Sequence, residues 1–73
     1  MVFWMFVVPK FQAILEKNPS HYGATLQLAK ALDRAGRPGE ALVLWKRMVE
    51  MAVAARDEAT ARLARTRVEG QVQ

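Results

Sequence analysis

Apolar residues recur along most of this chain at steps of three and four, the period of an amphipathic helix. Between His21 and Ala35 they fall at Tyr22, Leu26, Leu28, Ala29, Leu32 and Ala35. Ala41, Leu44, Trp45, Met48, Val49 and Ala52 repeat the pattern further on. Near the start, Trp4, Val8, Phe11 and Leu15 line one stripe, with Phe3, Val7 and Ile14 beside it. Near the end, Ala59, Leu63 and Val68 are expected to face inward. Polar breakers separate these stripes. Pro19 disfavours helical geometry at Asn18, and Ser20 is placed to cap the helix that follows. Gly36 offers a stop where a left-handed residue is cheap. Arg37-Pro38-Gly39 then turns the chain, and Glu40 puts a carboxylate in the next first turn.

The last boundary is softer, because no proline or glycine lies between Val53 and Gly70. Asp57, followed by Glu58 and Thr60, has the pattern of a cap. The preferred reading therefore breaks the helix near Arg56-Asp57, and one continuous helix is the alternative. The pattern predicts an all-α chain of three to four helices over residues 1–18, 20–35, 39–55 and 57–69, with 70–73 a frayed tail.

The chain also matches itself. At an offset of 34 residues, Val7 meets Ala41, Val8 meets Leu42, Phe11 meets Trp45, Ile14 meets Met48, Leu15 meets Val49 and Glu16 meets Glu50. That period belongs to helix–turn–helix repeats. Residues 20–53 resemble one tetratricopeptide repeat. Leu28-Ala29 stands where the family has a leucine and a small residue, and Gly36 where a glycine ends the first helix. Ala41 with Trp45 stands where an alanine is followed four residues later by an aromatic. Asn18-Pro19 resembles the boundary between repeats. Residues 7–19 look like the second helix of a preceding repeat, and 57–69 like the first helix of a following one. The chain departs from the family at Thr25 (usually tryptophan), at Leu32 (commonly tyrosine) and at Val53 (usually the closing proline). The resemblance implies an antiparallel helical stack that binds other proteins and does no catalysis. It also implies that Gly23, Leu26, Lys30, Asp33 and Arg34 face a ligand groove.

The opening MVFWMFVV fits that picture least. On a helix its first two turns are apolar all round, a sign of burial on every side, and three or four helices cannot surround their own first one. Repeat stacks need about three repeats for stability, and this chain holds about two. Left exposed, the segment would form an apolar patch larger than soluble monomers usually carry. Self-association through Val2, Phe3, Trp4, Met5, Phe6, Val8, Phe11 and Leu15 resolves the conflict, and a homo-oligomer would complete the stack. Two other readings stand beside it. VFWMFVV has the composition of a pairing strand, with Pro9 then opening the following helix. An interfacial membrane anchor would want basic residues along a polar face, and Lys10 is the only one nearby.

Composition and charge narrow the chemistry. The chain has 73 residues, 11 Lys and Arg against 7 Asp and Glu, one histidine and no cysteine. A chain this short buries only about 60% of its unfolded surface, so disulfides, a metal or a partner usually help it. Disulfides are excluded, and His21 alone builds no zinc site. No metal, cofactor or catalytic residue is expected. Ser20 adjoins His21, but nothing orients the two as nucleophile and base. Arg62 and Arg65 share a face beside Arg67, without the stacking aromatics of a nucleic-acid site. Met48 and Met51 read as packing filler.

The apolar start has no basic residue before it and no small-residue cleavage site after it, unlike a secretory signal. Its eight residues fall short of the roughly 20 that span a bilayer. A cytoplasmic chain is expected. Its function reads as a self-associating interaction or scaffold module, with the character of a truncated or engineered repeat. The alternative is a module that binds a peptide or an apolar small molecule, or an artificial catalyst. Its pocket would be formed by Phe3, Trp4, Phe6, Phe11 and Trp45 at the oligomer interface, with His21 as the only evident base.

Overall fold

The computed structural model describes residues 2–72, with side chains over 5–70. It is all-α: helix α1 spans Val2–Lys17, α2 Tyr22–Arg34, α3 Pro38–Ala54 and α4 Glu58–Val72. Short connections reverse the chain at each step, so neighbours run antiparallel. Among the described residues, each helix packs its backbone only against those next to it in sequence. The result is a stack 32 × 31 Å across and only 16 Å thick.

The core forms where the apolar stripes meet. Val8 of α1, Leu28, Ala29 and Leu32 of α2, Ala41, Trp45 and Met48 of α3, and Ala64 of α4 are all buried in one cluster. Ala29 and Ala41 are fully buried, and small side chains on packed faces let helices approach closely. Phe11 and Leu15 are half-buried against the same cluster.

Two turns share one geometry. After α2, the amides of Ala35, Gly36 and Arg37 donate to the carbonyls of Ala31, Asp33 and Leu32. After α3, those of Ala55, Arg56 and Asp57 donate to Met51, Val53 and Ala52, the same steps 20 residues on. The central residue is left-handed in both: Gly36 at φ 76° and Arg56 at φ 59°. An arginine thus stands where a glycine carries no penalty. This turn, which neither proline nor glycine marks in the sequence, separates α3 from α4.

The opening segment is helical from Val2, as the preferred reading has it, and the alternative of a strand falls. Pro9 lies inside α1 and does not open a helix. It removes the amide that would bond the Met5 carbonyl, and it does so on an exposed side of α1, where water can serve that carbonyl. The cap of α2 is His21 and not Ser20: His21 Nδ1 accepts the Ala24 amide at 3.0 Å. Helix α4 continues through Gly70 to Val72, since an interior glycine costs a helix only about 1 kcal/mol. Among the described residues its buried side chains are Ala61 and Ala64, while Ala59, expected inward, is exposed.

Candidate functional site

The two ends of the stack differ. Helix α1 has one neighbour, α2. It turns Val8 into the core, at 1% exposure, and leaves Met5 and Phe6 outside at 63% and 66%. Ile14 is also exposed, and Pro9 and Ala13 extend the uncovered side. Of the five residues expected to self-associate whose side chains are described, Met5 and Phe6 are the ones left exposed. Val8 packs within its own chain and is no part of an open surface. Phe11 and Leu15 are half-covered by the core. The side chains of Val2, Phe3 and Trp4 lie outside the described residues. At the other end, the uncovered side of α4 carries Arg62, Arg65, Thr66 and Glu69 and is polar.

The residues expected to line a groove share α2 but not one role. Gly23 and Arg34 are exposed, and Leu26 is half-buried against the core. Lys30 is half-buried. Asp33 is already engaged: its Oδ2 accepts from Trp45 Nε1 at 2.8 Å and lies 3.6 Å from Arg67 Nη1. The Arg67 guanidinium carbon sits 5.9 Å from the centre of the Trp45 ring, within reach of a cation–π contact. One carboxylate therefore ties α2 to α3 and α4. Sequence reasoning missed this cluster, because its members lie far apart in the chain and no periodic signal connects them.

A second link joins the starts of α2 and α4. The Tyr22 hydroxyl donates to Asp57 Oδ2 at 2.7 Å, while Asp57 Oδ1 accepts the Thr60 amide at 3.2 Å. Hydrogen bonds from Thr60, and then from Tyr22, hold the Asp57 carboxyl below its ordinary range. Burial, and then the neighbouring carboxylate, push the Tyr22 phenol up. At the start of α3, Arg37 forks onto Glu40 through Nε and Nη2 at 2.5 and 2.7 Å. That contact lowers Glu40 and raises Arg37. It is exposed, and such pairs contribute little to stability.

The structure offers no support for a pocket built on Trp45, which is fully buried. His21 Nδ1 is occupied by the Ala24 amide. Among the described residues no cluster of His, Asp and Glu is arranged to hold a metal ion, and no helix is long and apolar enough to cross a membrane. Comparison with protein-family models, with curated proteins and with solved structures found no match.

Proposed function

We propose that this chain is a protein–protein interaction module of the tetratricopeptide kind, without catalytic activity, that binds a second copy of itself through the open side of α1. The observation that carries the reading is the exposure of Phe6 and Met5 on a helix with one neighbour. Burying a side chain of this kind contributes about 1.5–3 kcal/mol. Association itself costs several kcal/mol, so Phe6 and Met5 need help from the adjoining Pro9, Ala13 and Ile14. The small-plus-aromatic pairing of Ala41 and Trp45 and the 34-residue self-match support the repeat reading. In such a stack, adding a second copy supplies the neighbouring layer that one copy lacks.

Sedimentation of the full chain and of a Met5→Lys/Phe6→Lys variant, over a range of concentrations, tests this. The full chain should run as a dimer or larger, and the variant as a monomer of unchanged helicity. A folded monomer in both cases would sink the reading.

A further inference from the structure

A separate surface, independent of α1, has a different chemistry. Where α3 ends and α4 begins, an open groove of about 430 Å³ runs beneath Arg56, Arg62 and Arg65. Its floor is Ala52 and Ala61, 0% and 4% exposed, and Val53 stands exposed at its wall. Methyl-sized floor residues leave the space open, and the three arginines are part of its lining.

Arg37 and Arg67 have acidic partners. Among the described residues, the guanidinium groups of Arg56, Arg62 and Arg65 have none. Two carboxylates also line the groove, Asp57 and Glu58. Asp57 is held by Tyr22 and Thr60, and Glu58 sits in the first turn of α4, where the helix dipole favours it. Three permanently charged guanidinium groups, each with several donors, thus line the groove against two carboxylates, one of them already engaged, and the lining is net positive.

We propose that this groove binds an acidic peptide segment in extended form. Arg62 and Arg65 are three apart on α4 and share a face, with Cβ atoms about 5–6 Å apart. In an extended chain, alternate side chains lie on one side at about 6.6 Å. Carboxylates at positions i and i+2 of the peptide therefore meet Arg62 and Arg65 in turn. Each can accept a two-pronged hydrogen bond. The aliphatic part of a glutamate rests on Ala61 and Val53, and a further acid reaches Arg56. No aromatic residue lines the groove to stack a base, which a single-stranded nucleic acid would want.

Fluorescence anisotropy of a fluorescein-labelled Glu-Ser-Glu-Ser-Glu peptide against the full chain tests the proposal. Both arginines are exposed on a helix, so Arg62→Ala/Arg65→Ala should stay folded; circular dichroism checks this. Arg47→Ala, an exposed arginine of α3, is the control for net charge. The peptide should bind saturably, and the double variant should weaken it about tenfold or more. The Arg47 variant should stay within about twofold of the parent. Absence of binding, or equal loss in the control, overturns the proposal. So does tighter binding of a labelled oligouridylate or of phosphatidylserine vesicles that Arg62→Ala/Arg65→Ala also abolishes.

Discussion

The indole of Trp45 and the carboxylate of Asp33 meet across the α2–α3 contact, Nε1 to Oδ2 at 2.8 Å. Trp45 is fully buried, so its N–H has no recourse to water. A buried donor left without an acceptor costs about 1–3 kcal/mol. Asp33→Ala should lower stability by about that amount, while Asp33→Asn keeps an acceptor oxygen and loses less. Arg67, about half exposed, should contribute under about 1 kcal/mol. Urea unfolding followed by tryptophan fluorescence measures all three. Equal midpoints for the parent and Asp33→Ala would remove the bond from the account of the fold.

The two matched turns give a paired prediction. Arg56 holds φ 59° with a side chain that disfavours it, and the left-handed region costs a residue with a Cβ about 1–2 kcal/mol. Arg56→Gly should therefore stabilise the chain, by about 1 kcal/mol after the added freedom of the unfolded state is counted. At Gly36 an added Cβ meets nothing within 4 Å, so Gly36→Ala isolates the backbone effect. It should destabilise by about 1 kcal/mol. Thermal melts that move the same way for both substitutions would contradict the shared geometry.

Much of this fold is legible in the sequence, and the reasons are local. The period of apolar residues places Leu28, Leu32, Trp45 and Met48 in the core, because a helix with one apolar side has only one way to bury it. Gly36 marks its turn because left-handed backbone favours glycine. The turn at Arg56 is fainter: Asp57 betrays the cap, while the left-handed residue before it has no sequence signature. Side-chain links between distant helices are the illegible part. Nothing in the spacing of Asp33, Trp45 and Arg67, or of Tyr22 and Asp57, announces that they meet. The candidate surface divides in the same way. Hydrophobicity singles out residues 1–15 as a group, but only the packing of α1 on α2 separates the inward Val8 from the outward Phe6. The grouping of Arg56, Arg62 and Arg65 around one groove depends on how α3 hands over to α4.

His21 offers a test of how α2 begins. Its Nδ1 accepts the Ala24 amide, and its carbonyl accepts both the Thr25 amide at 3.0 Å and the Thr25 hydroxyl at 2.8 Å. Replacing a cap by alanine costs about 0.5–2 kcal/mol. His21→Ala should fall within that range. His21→Asp should match or exceed the parent, since it keeps an acceptor and adds a charge favoured by the helix dipole. Denaturant midpoints decide the matter. A His21→Ala variant as stable as the parent would mean that the imidazole contributes nothing as a cap.

The bond between Tyr22 and Asp57 sets two pH limits of opposite origin. Asp57 is lowered from its ordinary value of 3.8 by hydrogen bonds from Thr60 and Tyr22. A depressed carboxyl favours the folded state above its unfolded value, and that contribution is lost as pH falls through the lower, folded one. Tyr22 is raised from 10.0, first by burial and then by Asp57. Its neutral phenol is the form the fold prefers, so its contribution is present below pH 10 and lost as pH rises through the higher, folded value. Melting temperature should thus fall on the acid side below about pH 4 and on the alkaline side above 10. The variants separate the limbs. Asp57→Asn retains a capping oxygen and should flatten the acid limb. It should also relieve the phenol of the neighbouring charge. Tyr22→Phe removes the titrating phenol and should flatten the alkaline limb, while the acid limb persists through Thr60. If Tyr22→Phe melts with the parent's alkaline slope, the phenol does not titrate with unfolding, and the hydroxyl bond to Asp57 has no part in holding α2 to α4.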